Sequence, residues 1–325
     1  MKLSIRIPLL IGIVVLITTA SIIIPVQILF RNNISASHFE ELASRAEANA
    51  ELIEVRLESR LIQLQEIANR ARTRTMDWDV IRPSLINDIN RIGVLELMVI
   101  YPEADGINGT NHYVSDGSTL TLPLASYSIS AFNGIPATSD VIISQAIGST
   151  VVMLTAPIFA TEEPGSPVLG VLMARQHGSV LSDLVDGIET RFSSGYAFMM
   201  NNEGAFVAYP DHELVINRFN LLNEAENDTS LRSMADMAAE AIQQRNGFGY
   251  FDQNGIRFKT AYAEVPGHPW ILFVAIEDAE FQTELTSITF ILLLIGLICF
   301  VAGIIIALFV GRSISMPIRR VARTL

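Results

Sequence analysis

Two long stretches without a charged residue constrain this chain most. The first runs from Ile7 to Phe30 and the second from Leu285 to Gly311. Each is longer than the ~20 apolar residues that cross the hydrocarbon core of a bilayer. They also explain a mean hydropathy of +0.38. We therefore predict transmembrane helices at residues 7–30 and 285–311.

The charges around these two stretches predict their orientation. Lys2 and Arg6 precede the first stretch, and four arginines follow the second. Positive residues favour the cytoplasmic side, so residues 1–6 and the C-terminal end are expected there. All 34 acidic residues and 16 of the 22 basic residues lie between Arg31 and Glu284, which gives this segment a formal charge of −18. The middle of the chain is therefore expected outside the membrane.

The first apolar stretch is expected to stay in the mature protein as an anchor. It is longer than the ~7–15 apolar residues of a signal peptide, and no small-residue cleavage site follows it. The single cysteine, Cys299, lies in the second stretch, so the outer segment has no cysteine with which to form a disulfide.

Residues 31–76 have the pattern of one long amphipathic helix. No glycine or proline occurs from Arg31 to Thr75, and apolar residues recur at steps of three, four or seven between charged ones. Such a helix would be roughly 60 Å long and needs a surface to lie along. We predict a stalk, with a plain coiled-coil linker as the alternative. Heptad-like spacing predicts a homodimer through this stalk.

The rest of the outer segment repeats one order of elements. Strand patterns, turns rich in glycine and proline, and short helical patterns occur at 77–190 and again at 191–284. A hairpin signal, Asn254-Gly255, lies in the second half. The predicted fold class is α+β, with a membrane-distal and a membrane-proximal module stacked on the long helix, each an antiparallel sheet with helices.

Several phrases resemble the double Cache sensor domains of bacterial transmembrane receptors, such as methyl-accepting chemotaxis proteins. They include YSISAFNG at 127–134, TSD at 138–140, GYAF at 195–198 and the stretch from Gly247 to Trp270. The resemblance covers about residues 35–280 and implies two PAS-like modules. It also implies the cytoplasmic membrane of a bacterium. Residues 312–325 resemble the start of a HAMP linker.

In the amino-acid-binding branch of that family, an arginine and two aromatic residues hold the ligand carboxylate, and an aspartate takes the amino group. The resemblance places these on Ala125, Tyr127, Ser128 and Arg175, and a further tyrosine near Leu120. Only the aromatic at Tyr127 is kept. An ammonium against Arg175 would be repelled. We therefore expect an organic acid rather than an amino acid as the ligand.

The candidate ligand-binding residues are Tyr127, Asp140, Arg175, Tyr101 and Ser128. Arg175 ends an apolar strand pattern, where a charge favours either an anionic ligand or an ordinary surface ion pair. Tyr127 fits ligand stacking or core packing equally well. Asp140 fits the rim of a pocket or the capping of a turn.

The sequence gives no sign of catalysis within this chain. The five histidines are scattered, and neither phosphate-loop nor nucleophile motifs occur in a supporting context. We expect no cofactor, metal or nucleic-acid partner. The predicted function is a receptor that signals through the second span and HAMP to a cytoplasmic output, chemotaxis in the first instance. A membrane-bound histidine kinase or nucleotide cyclase is the alternative, and a passive adhesive domain is disfavoured.

Overall fold

The computed structural model describes residues 3–188 and 192–280, and also the helical residues 290–291, 293–298, 300–306 and 309. Two compact units are present: Leu42–Ile276, and Met1–Glu41 with Glu277–Leu325. In the described residues, no helix combines the length and the apolar character needed to cross a membrane. The predicted HAMP segment, 312–325, lies outside the described residues, as do 285–289, 292, 299, 307–308 and 310–311 of the predicted second span.

The chain alternates short helices with antiparallel strands after one very long helix. The helices are α1 Leu3–Ala68, α2 Ala71–Arg74, α3 Trp78–Ile92, α4 Ser126–Phe132, α5 Val180–Asp186, α6 His212–Ile216, α7 Leu221–Glu224 and α8 Arg232–Gln244. The strands are β1 Glu96–Pro102, β2 Asn108–Tyr113, β3 Thr119–Pro123, β4 Ala137–Thr138, β5 Ile142–Ile143, β6 Thr150–Phe159, β7 Val168–His177, β8 Tyr196–Asn201, β9 Phe206–Ala208, β10 Gly247–Gln253, β11 Ile256–Glu264 and β12 Trp270–Glu277.

The strands form two separate sheets, one in each of the two modules that the sequence predicts. The first has the strand order β3-β2-β1-β7-β6-β4, with β5 also paired to β6, and the second has the order β10-β11-β12-β8-β9. We call them the distal sheet and the proximal sheet. The strand pairs in the distal sheet are antiparallel. The α+β class, with a long N-terminal helix followed by antiparallel sheets, is confirmed.

One face of α1 is buried against both sheets. Ala46, Ile53 and Leu57 are at most 2% exposed and belong to the core of the proximal sheet. Leu64 and Ile67 belong to a core under the distal sheet. The predicted amphipathic pattern therefore serves packing within the chain, because this face contacts the protein's own sheets. The helix ends at Ala68, before the predicted limit of residue 76, and α2 follows separately.

Local signals explain some boundaries of the shorter elements. Asp77 caps the N-terminus of α3, where its side chain accepts a hydrogen bond from the Asp79 backbone N–H at 3.1 Å, and Gly93 caps the C-terminus with φ of +68°. Both are ordinary helix-end devices. The hairpin at Asn254-Gly255 is present, with Gln253 paired to Ile256. Strand β5 has only two residues, Ile142–Ile143, and Asp140 just before it contacts the proximal sheet.

Candidate functional site

A cavity of about 350 Å³ lies on one face of the distal sheet, under α4 and the β5 segment. Its walls come from β1, β2, β6, β7, the chain around the start of α4, and residues 142–146. The lining residues are Met98, Ile100, Asn111, Tyr113, Leu122, Pro123, Leu124, Ala125, Ser126, Tyr127, Ser128, Ile142, Ile143, Ser144, Gln145, Ala146, Met153, Met173 and Arg175.

The alternation of side chains along the strands builds this face. Met98 and Ile100 face the cavity from β1, whereas Leu97 and Val99 face the core beneath α1. Residues two apart on a strand share a face, so Met173 and Arg175 come together from β7. Register places Met98 opposite Met173 across β1 and β7. Most of the wall is therefore apolar and includes three flexible methionines.

Arg175 is the one charged side chain that lines the cavity within the described part of the chain. It is only 5% exposed. Its guanidinium carbon lies 5.4 Å from the centroid of the Tyr113 ring, and Nη2 lies 3.6 Å from Met98 Sδ. Nε is buried and has no hydrogen-bond partner among the described residues. A buried cation with such weak neighbours is costly unless an anion joins it.

Tyr127 and Ser128 line the cavity beside Arg175, as the prediction requires of ligand-binding residues. Burial raises the pKa of the Tyr127 phenol, and the positive charge of Arg175 lowers it in part. Arg175 therefore acts electrostatically on Tyr127. Ser128 is 3% exposed. Ala125, where the related amino-acid receptors have an arginine, also lines the cavity.

The other two predicted residues lie elsewhere. Tyr101 is on the opposite face of β1, where its hydroxyl donates to the Met76 carbonyl at 3.1 Å and its ring packs 4.5 Å from that of His112. Asp140 does not line the cavity either. Its carboxylate accepts hydrogen bonds from Trp270 Nε1 and from Asn201 Nδ2, both in the proximal sheet.

Several lining residues escaped the sequence prediction. Asn111 and Tyr113 lie on either side of His112 on β2 and both line the cavity. The alternation along a strand predicts that they share a face, but it does not predict that this face lines a cavity. Asn111 Oδ1 is buried and lacks a hydrogen-bond partner among the described residues. Ser144, from the β5 segment, is 4% exposed and brings a hydroxyl to the wall. These groups offer hydrogen bonds around the charge of Arg175.

The cavity has a positive charge and no acidic side chain among its described lining residues. The nearest acid in register is Glu96, directly across from Arg175 on β1. Its carboxylate accepts hydrogen bonds from the backbone N–H groups of Ser115 and Leu97, and from the Ser115 hydroxyl. Both oxygens of the Glu96 carboxylate are therefore already hydrogen-bonded to neighbouring residues.

The distal sheet bears a cavity with polar and apolar walls whose size suits a small molecule, and a second sheet packs on the same long helix. The chain belongs to the Cache family, because the family model dCache_1, described as a Cache domain, matches residues 30–285. The resemblance seen in the sequence is thereby confirmed.

Solved structures share this fold at low sequence identity. The ligand-binding domain of the Pseudomonas fluorescens chemoreceptor CtaA, in complex with L-isoleucine, has a TM-score of 0.53 and 14% identity, and the match covers 79% of this chain and 98% of that one. Methyl-accepting chemotaxis protein X gives 0.53 and 13%, covering 75% and 99%. The extracellular domain of mmHK1S-Z3, a protein assigned as a histidine kinase, gives 0.51 and 14%, covering 77% and 97%.

These likenesses establish the fold alone, and they include both chemoreceptors and a kinase. No curated protein matches the chain.

Proposed function

We propose that this chain is the sensor part of a transmembrane receptor, and that its distal cavity binds a small organic acid without a cationic amine. The observation that carries the proposal is the buried guanidinium of Arg175, which lines the cavity without an ion-pair partner in the described part of the chain. The volume is at the small end of the ~300–1,000 Å³ range of ligand pockets.

The charge pattern favours an anion over an amino acid. A ligand carboxylate would gain a charge-assisted hydrogen bond from Arg175, which is the strong kind. An ammonium held ~4 Å from the guanidinium would be repelled by about 4 kcal/mol at an effective dielectric near 20. The described lining residues offer no aspartate or glutamate to offset that repulsion.

The apolar wall favours a ligand with an apolar body. Met98, Met153 and Met173 are flexible, polarizable side chains that adapt to differently shaped ligands. The phenol rings of Tyr113 and Tyr127 add flat apolar surface.

We propose that the two charge-free stretches anchor the receptor in the bacterial cytoplasmic membrane, with modules at 77–190 and 191–284 outside. The stalk and the HAMP-like tail would pair in a homodimer, and the tail would relay the signal to a cytoplasmic output. Chemotaxis is the output we favour. A kinase output is kept as the second candidate, because the fold likeness includes the extracellular domain of mmHK1S-Z3.

Isothermal titration of the full chain in lipid nanodiscs tests the ligand class with matched compounds. These are 3-phenylpropanoate, L-phenylalanine and 2-phenylethylamine, which share one ring and differ in charge. We expect the acid to bind at least about tenfold more tightly than the amino acid, a difference of about 1.4 kcal/mol, and the amine not to bind. The same result is expected with 4-methylpentanoate and L-leucine.

Arg175→Met should abolish binding of the acids, whereas Arg72→Met should not. Arg72 is exposed on α2 and provides the same change of charge away from the cavity. Tighter binding of the amino acids than of the matched acids would overturn the proposal.

A further inference from the structure

The segment between β4 and β6 touches both halves of the domain. Val141 is 5% exposed and belongs to the hydrophobic core of the proximal sheet. The next residue, Ile142, packs on the cluster that surrounds the cavity, and it lines the cavity itself. Consecutive side chains point to opposite sides of an extended chain, so this short segment is clamped between the cavity and the proximal core.

Asp140 fixes this segment to the proximal sheet. One carboxylate oxygen accepts a hydrogen bond from Trp270 Nε1, and the other accepts from Asn201 Nδ2 at 3.3 Å. Hydrogen bonds to an ionised carboxylate are roughly twice as strong as neutral ones. The two donors are themselves neighbours, because Trp270 on β12 pairs with Asn201 on β8.

Both ends of this connection are held by further contacts. On the cavity side, the backbone N–H of Ser139 donates to the Met153 carbonyl at 2.8 Å, and Ser139 Oγ accepts from the Met153 N–H at 2.9 Å. On the other side, Asn201 Oδ1 accepts from the backbone N–H groups of Glu203 and Ala205, each at 3.0 Å. The amide of Asn201 is therefore oriented with its Nδ2 toward Asp140.

The strand that receives this connection is the last one of the described chain. Trp270 is fully buried at the start of β12, and β12 ends at Glu277. The sequence then continues toward the second charge-free stretch at 285–311. A displacement of Asp140 would act on the first residue of β12 directly.

We propose that Asp140 is a positioning residue that couples the cavity wall to β12. A ligand that contacts residues 142–146 shifts this wall, and the shift changes the Asp140 hydrogen bonds to Trp270 and Asn201. The ligand part of this inference rests on the proposed function. Binding biases such a connection only by its different affinity for the two arrangements, and a two-donor carboxylate is sensitive to small displacements because hydrogen bonds weaken steeply with geometry.

A ligand-free experiment tests the coupling itself. Hydrogen exchange is measured by mass spectrometry on the full chain in nanodiscs, with Ile142→Ala as the perturbation of the wall. When Asp140 is unchanged, we expect Ile142→Ala to make hydrogen exchange across residues 270–277 about tenfold faster, in keeping with local opening energies. In the Asp140→Asn background, Ile142→Ala should change that exchange by less than about twofold.

Two controls accompany this experiment. Trp270→Phe removes the same hydrogen bond from the donor side and should uncouple the wall as Asp140→Asn does. Ile107→Ala truncates an isoleucine that is 68% exposed and does not line the cavity, so it should leave exchange at 270–277 unchanged. The coupling would be overturned if Ile142→Ala accelerated exchange at 270–277 by the same factor in both the Asp140→Asn and the Trp270→Phe backgrounds.

A second arm uses 3-phenylpropanoate as the probe. It should slow exchange at 142–146 in every background, and change exchange at 270–277 only where Asp140 and Trp270 are intact. Absence of any slowing at 142–146 counts against the proposed ligand site, while the ligand-free arm still decides the role of Asp140. Slowing at 142–146 with an equal response of 270–277 in Asp140→Asn counts against the coupling alone.

Discussion

Glu96 and Arg175 lie directly opposite each other on β1 and β7, yet their side chains form no ion pair. The Glu96 carboxylate accepts hydrogen bonds from the β2–β3 turn at Ser115, at 3.1 Å from its backbone nitrogen. The Arg175 guanidinium instead contacts Met98 Sδ and the Tyr113 ring. The hydrogen bonds from the turn therefore satisfy the Glu96 carboxylate, and the Arg175 guanidinium remains available to a ligand in the cavity.

Arg175→Met should therefore leave the ligand-free protein as stable as before or more stable. The substitution removes a buried charge whose Nε has no partner in the described structure, and methionine is of similar length and is already used in this wall. We expect the free energy of unfolding to stay level or to rise by about 1–2 kcal/mol. Thermal unfolding of the detergent-solubilised full chain, followed by tryptophan fluorescence, measures it.

Arg72→Met is the matched control for stability, and it should stay within about 0.5 kcal/mol of the unmodified chain as an exposed substitution. Destabilisation by Arg175→Met of more than about 2 kcal/mol would mean that Arg175 has a structural role.

Substitutions of Tyr127 and Tyr101 should have different effects on ligand affinity. Tyr127→Ala removes an aromatic wall of the cavity and should weaken binding of 3-phenylpropanoate by roughly 1–3 kcal/mol, since buried aromatic contacts are large. Tyr101→Phe removes one hydroxyl that donates to Met76 on the other face of β1. It should cost about 1 kcal/mol of stability and leave the affinity unchanged. Titration calorimetry on both variants measures the difference, and equal losses of affinity would contradict the placement of the cavity.

The exposed face of α1 should be the dimer contact. The face used by the heptad-like residues is buried within the chain, but Leu52, Val55 and Ile62 are 43%, 57% and 52% exposed and are spaced three and seven apart. We expect single cysteines at positions 52 and 55 to cross-link symmetrically in membranes, since such a stripe suits a helix pair.

Cysteine at Glu47, which is exposed on α1 about 80° around the helix from position 55 and about 140° from position 52, is the control and should cross-link less. Each variant is made in a Cys299→Ser background. Equal yields from all three positions would argue against a specific helix pair.

Acidification should destabilise the fold through His268. Burial lowers the pKa of this imidazole from its usual 6.5, and the charge of Asp140 raises it in part. The folded pKa is therefore below the unfolded one, so the unfolded chain binds more protons between them. Stability then rises with pH through this window and falls as the pH drops below about 6.5.

His268→Gln should flatten this part of the stability profile between pH 7.5 and 5.5. His112, whose pKa is lowered by burial, contributes in the same direction and should keep part of the slope. Thermal unfolding at half-unit steps of pH provides the measurement. An unchanged slope in His268→Gln would show that His268 does not carry it.

The fold was largely predictable because its signals are local. The period of the apolar residues in α1, the hairpin at Asn254-Gly255 and the apolar strand patterns each identify an element from neighbouring residues. The short elements α6 and α7 were missed, since one or two helical turns carry little periodicity.

The candidate site was predictable only in part. Arg175 was recognisable, because a charge at the end of an apolar run is unusual, and it does lie on the cavity face. Tyr101 lies on the other face, one residue beyond Ile100, since parity along a strand decides the side. The contact of Asp140 with Trp270 joins residues 130 positions apart, and nothing local in the sequence indicates it.

The single helix α1 also sets a rule for building chimeric receptors. Leu57 packs in the proximal core and Leu64 in the distal one, two turns further along the same helix. Adding one residue between them would rotate one set of anchors by about 100° against the other. Exchange of sensor modules between receptors should therefore keep the spacing from Leu57 to Leu64 intact. A graft that joins two parental helices between these leucines is expected to fold only when their phases agree.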